Sequence, residues 1–252
     1  MIVTRNLTKA YGDARVIRDV SISIPRGGVT SIIGPNGAGK STLLGLISRL
    51  LPPTSGSAHV DELDVAAAPS DVLARRLSIL RQDNHLVARL TVRDLVAFGR
   101  FPHSRGRLTS DDNKRIDEAI DYLELSALSD RFLDEMSGGQ RQRAFVAMVL
   151  CQDTDYVLMD EPLNNLDMRH ATGMMKLVRR IADELGKTFV LVLHDINFAS
   201  IYSDHIVAMR DGEVVRQGTP AEILQGPVLE QIFDIDIPVH EIDGRRIALY
   251  YF

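Results

Sequence analysis

The chain predicts an α/β fold, and three observations carry the prediction. An apolar run of strand character at residues 29–33 passes through a glycine-rich loop into an apolar helical run at 43–47. Runs of β type dominate the first 33 residues and recur at 155–161 and 188–194. Between them, residues 83 to about 150 carry mostly helical patterning, which inserts a helical lobe into a β-rich unit. At 252 residues the chain can bury a large core, and its organisation is that of one unit with an inserted helical lobe.

The loop between the first strand and helix reads Gly34, Pro35, Asn36, Gly37, Ala38, Gly39, Lys40, Ser41, Thr42. Its glycines let successive backbone N–H groups turn inward toward phosphate oxygens, and the helix that follows adds its positive dipole end. Lys40 can reach the β- and γ-phosphates, and the Ser41 hydroxyl can ligate the Mg²⁺ that accompanies the nucleotide. Strand and helix flanks are the context such a loop needs, so the chain is read as a nucleotide binder.

Within the lobe, Ser110, Asp111 and Asp112 open an amphipathic helix expected over 113–125. At the far end, Ser137, Gly138, Gly139 and Gln140 precede an apolar helix beginning at Ala144. A hydroxyl, unhindered backbone N–H groups and a helix N-terminus converge there on one anion. One nucleotide needs only one phosphate cradle, so a second cradle implies two copies arranged head to tail around shared sites.

Residues 155–161 form an apolar strand ending in Asp160 and Glu161. Paired carboxylates at the end of a buried strand are costly unless a cation or a catalytic task holds them. Asp160 is assigned to magnesium and Glu161 to the attacking water. The strand at 188–194 ends in His194, at the same sheet edge, where an imidazole can hydrogen-bond a γ-phosphate. Residues 209–215 read as a turn between two strands, after which only a short tail is expected.

With these elements in this order, the chain resembles the nucleotide-binding subunits of ATP-binding cassette (ABC) transporters over essentially its whole length. The resemblance implies a P-loop NTPase fold of the ABC ATPase type. A RecA-like core with an N-terminal antiparallel β-region would span 1–82 and 155–252, and a helical subdomain would span 83–154. It implies ATP and Mg²⁺ as ligands, with Ser41, Gln82 and Asp160 around the metal and Glu161, His194 and Lys40 in catalysis. Tyr11 stands where the family stacks an aromatic ring on adenine, Gln82 where a glutamine joins Mg²⁺ to the membrane-subunit contact, and Asp167 where an aspartate communicates between the two sites of the dimer. The chain departs from the family at Met136, in place of leucine, and at Leu163, Asn164 and Asn165, in place of threonine and small residues. These changes are expected to leave the chemistry intact, with the asparagines acting on communication across the dimer.

The segments at 91–103, 163–165 and 232–236 look similar to those of importers for iron siderophores, haem and cobalamin, the ferric-siderophore branch above all. The partners implied are two separate transmembrane permease subunits, a second copy of the chain and, through the complex, a substrate-binding protein, at the cytoplasmic face of the inner membrane. Non-transport ATPases of the same clamp type carry a long coiled-coil insertion or tandem cassettes, which this chain lacks. A small-molecule kinase would leave Ser137 to Gln140 without a purpose.

Composition agrees with this reading: 45% apolar and 25% charged residues are ordinary for a globular chain. A net charge of −5 argues against nucleic acid as a partner. No apolar run approaches the roughly 20 residues that span a bilayer, so the pore is expected to be another polypeptide. No basic leader precedes an apolar stretch at the N-terminus, so no secretory signal is expected. The single cysteine, Cys151, lies in an apolar helix and reads as a buried, inert thiol.

Overall fold

The computed structural model describes residues 1–81, 88–164 and 166–250, so Gln82 and Asn165 lie outside the described residues. The chain opens with β1 (Ile2–Tyr11), β2 (Ala14–Val20) and β3 (Ser23–Ile24), then β4 (Gly28–Ile33) and α1 (Lys40–Ile47). Strands β5 (Ser55–Val60) and β6 (Leu63–Asp64) return to complete an antiparallel sheet in the order β2-β1-β5-β6, with β3 on β1. Next come α2 (Ser70–Ala74) and β7 (Leu77–Leu80), followed by the helices α3 (Val92–Phe98), α4 (Phe101–Ser104), α5 (Ser110–Tyr122) and α6 (Gly138–Cys151).

The chain then alternates through β8 (Tyr156–Asp160), α7 (Met168–Leu185), β9 (Thr188–Val192), α8 (Ile196–Tyr202) and β10 (His205–Arg210). A hairpin leads to β11 (Glu213–Gly218). The second sheet has the order β11-β10-β4-β9-β8-β7, parallel throughout except for β11. Its inner strands β10, β4, β9 and β8 are near-continuous buried runs because both of their faces are covered, whereas the edge strand β11 is largely exposed or half-buried. On β9, Phe189 and Leu191 pack toward the helical lobe and α7, while Val190 and Val192 pack toward α1 and the antiparallel sheet.

Register decides where the chemistry sits. Val192 pairs with Ile32 on one side and Asp160 on the other, so β4, β9 and β8 end together at one carboxyl edge. Open α/β sheets hold their ligands at that edge, where the loops and helix N-termini gather.

Two expectations from the sequence change. Helix α5 starts one residue after its cap Thr109, whose hydroxyl accepts from the Asp112 N–H while the Asp112 carboxylate takes the Thr109 N–H. The helix ends at Tyr122 rather than Leu125, because Glu124 turns left-handed (φ 57°) and the Leu125 N–H closes back on the Ile120 carbonyl at 2.9 Å. The segment after β11 is not a bare tail. It folds as α9 (Pro220–Ile223), α10 (Gly226–Phe233) and the hairpin β12 (Val239–Ile242) with β13 (Arg245–Ala248), tied to α8 by two hydrogen bonds between Asn197 and Ala248.

Inside the lobe, Arg100 and Asp112 form an ion pair at 2.8 Å with both side chains almost fully buried. Hydrogen bonds from the Thr109 backbone and the Arg100 guanidinium hold the Asp112 carboxyl down at about 2. Cys151 is buried, and desolvation pushes its thiol up to about 12, which makes it unreactive. Among the described residues, no helix is long and apolar enough to cross a membrane.

Candidate nucleotide site

The loop after β4 is shaped by close contacts rather than by flexibility alone. Gly39 sits at φ 92°, and a Cβ there would lie 2.7 Å from Ile17 Cδ1 and 2.9 Å from the Val16 carbonyl, so no side chain fits. Ala38 is buried and its N–H bonds the Pro35 carbonyl at 3.2 Å, while Gly212 of the β10–β11 hairpin donates to the Ala38 carbonyl at 3.2 Å. The first residue of α1, Lys40, is buried, and its ammonium donates to the Gly34 and Pro35 carbonyls at 2.9 Å each. Burial draws the Lys40 pKa down, against an opposing pull from Glu161 and Asp160.

Ser41 Oγ donates to Asp160 Oδ1 at 2.8 Å, which joins the start of α1 to the end of β8. Burial raises the Asp160 carboxyl above its ordinary range, the Ser41 hydrogen bond opposes the shift, and neighbouring Glu161 adds to it. Glu161 is a non-glycine residue at φ 50°, a left-handed conformation that costs energy and is held here by its surroundings. Its Oε1 lies 2.7 Å from His194 Nε2, and its Oε2 accepts from the Asn164 side-chain amide. A cavity of about 200 Å³ opens over this cluster, lined by Asn36, Gly37, Gly39, Lys40, Ser41, Thr42, Glu161, His194 and, from β2, Val16.

The second group of residues lies elsewhere. Ser137 caps α6 through a reciprocal box in which Ser137 Oγ accepts from the Gln140 N–H at 3.3 Å and Gln140 Oε1 accepts from the Ser137 N–H at 3.1 Å. Gly138 and Gly139 form its first turn, and Gly139 lies against the ring of His170. Asp167 caps α7, accepting from both the His170 N–H and Nδ1 at 2.8 Å, and the His170 hydrogen bonds hold its carboxyl below the usual range. Ser137, Gly139, Gln140 and His170 border a cavity of about 570 Å³ between the starts of α6 and α7, which shares no lining residue with the first. Lys40, Ser41, Asp160, Glu161 and His194 therefore meet within one chain, and Ser137 to Gln140 do not join them there.

Tyr11 ends β1 half-exposed, with Lys9 Nζ 4.9 Å from its ring centre, and does not line the cavity over Lys40. The expectation for Gln82 falls outside the described residues. The sequence reading missed Val16, His170 and Asn164. Only Asn164 left a signal, as a departure from the family pattern expected to leave the chemistry untouched, yet the structure puts its amide on the Glu161 carboxylate.

Comparison with known proteins points one way. The chain is 52% identical over 251 residues to the petrobactin import ATP-binding protein YclP of Bacillus subtilis (strain 168), covering 100% of both. It is 40% identical to the ferric enterobactin transport ATP-binding protein FepC of Escherichia coli (strain K12), covering 91% of this chain and 85% of that one. Among solved structures it resembles the dimeric post-hydrolysis state of the ATP-binding cassette MJ0796 bound to ADP and Pi, at a TM-score of 0.76 and 31% identity over 87% of this chain and 99% of that one. The family model described as ABC transporter matches residues 17–164, and with a core and loop of this form the chain belongs to the ABC transporter family.

Proposed function

We propose that this chain is the ATP-hydrolysing subunit of an importer of ferric siderophore complexes. The observation that supports the cargo is full-length 52% identity to a petrobactin import ATP-binding protein. What supports the chemistry is the cluster at the sheet edge.

Mg-ATP enters with its phosphates against the loop at 34–42, where Lys40 changes partners from the Gly34 and Pro35 carbonyls to phosphate oxygens. The Ser41 hydroxyl and Asp160 carboxylate, 2.8 Å apart, are hard oxygen donors of the kind Mg²⁺ takes, with Gln82 as a further oxygen ligand. When bound, Mg²⁺ neutralises charge on the β- and γ-phosphates. Glu161 polarises the water that attacks in line, His194 fixes its orientation and that of the γ-phosphate, and Lys40 offsets the developing charge. Tyr11 stacks on adenine once the nucleotide is in place.

Ser137 and Gly138 of a second copy, with Gly139 and Gln140 shaping the turn, close over that nucleotide, so the assembled unit is a head-to-tail dimer with two shared sites. A dimeric cassette bound to ADP and Pi, 31% identical to this chain, supports that arrangement. Asp167 communicates between the sites. In this reading residues 1–82 and 155–252 form the catalytic core, and 83–154 form the subdomain that moves against it. Gln82 and the 91–103 segment pass the motion to two permease subunits at the cytoplasmic face of the membrane, fed by a substrate-binding protein. Moving a two-state transporter from 1:99 to 99:1 requires about 5.5 kcal/mol, within reach of two γ-phosphates each held by several charge-assisted bonds of ~1.5 to 3 kcal/mol.

The test is uptake of radiolabelled iron, supplied as a panel of siderophore chelates, by iron-starved cells whose only copy is wild type or Glu161→Gln. Loss of uptake of one chelate in the mutant is the expected result and identifies the cargo. Unchanged uptake of every chelate, with ATPase activity intact in the wild-type protein, would remove iron and leave haem or cobalamin to be tried.

A further inference from the structure

Glu161 is held at both carboxylate oxygens by neighbours from different parts of the chain. His194, just past β9, takes Oε1, and the side-chain amide of Asn164 donates to Oε2. Asn164 stands three residues after Glu161 in a turn that is already fixed without its side chain. The Asn164 N–H closes the turn on the Glu161 carbonyl at 3.2 Å, and Gln142 of α6 anchors it by donating to the Pro162 carbonyl at 3.2 Å. Asn164 is exposed, so packing does not call for an amide there. What the amide adds is a second fixed point on a carboxylate whose backbone is itself in a left-handed conformation.

A carboxylate has about four acceptor positions, so one bond to each oxygen stops its rotation and still leaves lone pairs open to a water. An amide is also a donor that carries no charge. A lysine or arginine in its place would pair with Glu161 and compete with the water for it.

We propose that Asn164 is a positioning residue that aims the Glu161 carboxylate at the attacking water, a role that rests on the reading of Glu161 as the water-activating group. Asn164 acts through the orientation of that carboxylate, and a displacement of about 1 Å at a catalytic group can cost on the order of 100-fold in rate.

The test is steady-state hydrolysis of Mg-ATP by the full chain, with ATP affinity by calorimetry and melting by circular dichroism, for Asn164→Ala, Asn164→Asp, Glu161→Gln and the Glu161→Gln/Asn164→Ala double variant. Asn164→Ala is expected to lower kcat by about 10- to 100-fold with KM and ATP affinity unchanged. Aspartate forms turns as well as asparagine does, so Asn164→Asp should fold like wild type; a purely structural role predicts near-normal kcat for it. The positioning role predicts a deeper loss than in Asn164→Ala, because Asp cannot donate and sets a like charge against Glu161. The double variant should be no slower than Glu161→Gln alone. Wild-type kcat in Asn164→Asp, or in a folded Asn164→Ala, overturns the proposal. Wild-type turnover by Glu161→Gln instead overturns the underlying reading of Glu161, and the variant that reports the failure tells the two apart. Should Asn164→Ala fail to fold, the Asn164→Asp result decides alone.

Discussion

The His170 ring lies so close over Gly139 that a Cβ at 139 would come within 2.3 Å of His170 Cδ2, and the same ring bonds Asp167 through Nδ1 at 2.8 Å. One imidazole thus ties the first turn of α6 to the cap of α7. Gly139 is helical, so alanine there gains about 0.8 to 1 kcal/mol of helix propensity, and the clash must exceed that to destabilise. Because His170 is partly exposed, the ring gives way, and the bond to Asp167 is what is lost. Gly139→Ala is therefore expected to impair ATP hydrolysis with little loss of melting temperature. In a His170→Ala background the clash is gone, and Gly139→Ala should raise the melting temperature by about 2 to 4 °C. A drop in both backgrounds would refute the packing account.

Much of the core was legible because a parallel sheet buried on both faces writes itself as apolar runs, and 29–33, 155–161 and 188–194 are such runs. The meeting of Ser41, Asp160, Glu161 and His194 was anticipated from strand ends, since the register row Ile32, Val192, Asp160 aligns those ends. Contacts set by turn geometry were not legible. Whether Asn164 reaches Glu161 depends on the turn between them, and whether Val16 lines the cavity depends on how the antiparallel sheet sits over the loop. The α5 boundary shifted for a similar reason: Asp112 serves both the Thr109 cap and buried Arg100, and the Arg100 contact is invisible in the local pattern.

The buried Arg100–Asp112 pair should be expensive to break and cheap to replace. Removing one partner leaves a charge buried without its counter-ion, so Arg100→Leu is expected to cost about 3 to 5 kcal/mol in urea unfolding. An Arg100→Leu/Asp112→Leu double variant should recover much of that, since apolar side chains of similar volume often replace such pairs without loss. A double variant as unstable as the single would show that the Thr109 cap, rather than the pair, carries the stability.

The same carboxyl gives a pH signature. The folded pKa of Asp112 lies at about 2 against an ordinary 3.8, so its contribution is fully present above about pH 4 and is lost as pH falls through the interval toward 2. Asp112→Asn should flatten the stability curve in that window and leave it unchanged in shape near neutral pH. An unaltered acid limb in the variant would assign acid sensitivity to other carboxylates.

Lys40 and Glu161 should separate binding from chemistry. Lys40→Ala removes the one buried ammonium at the loop and is expected to abolish measurable ATP binding by calorimetry. Glu161→Gln keeps the volume and the possibility of hydrogen bonds to His194 and Asn164 but cannot accept a proton, so ATP should bind normally while kcat falls by about 100- to 10,000-fold. In gel filtration with Mg-ATP this variant should move to a dimer that wild type reaches only transiently, because the closed state can no longer discharge. The dimer in turn is expected to need Ser137, whose loss as a cap of α6 costs about 1 kcal/mol. Adding Ser137→Ala to Glu161→Gln should leave ATP binding to the single chain in place and remove the dimer. Persistence of the dimer in that double variant would mean that the α6 N-terminus of one copy does not close on the nucleotide of the other.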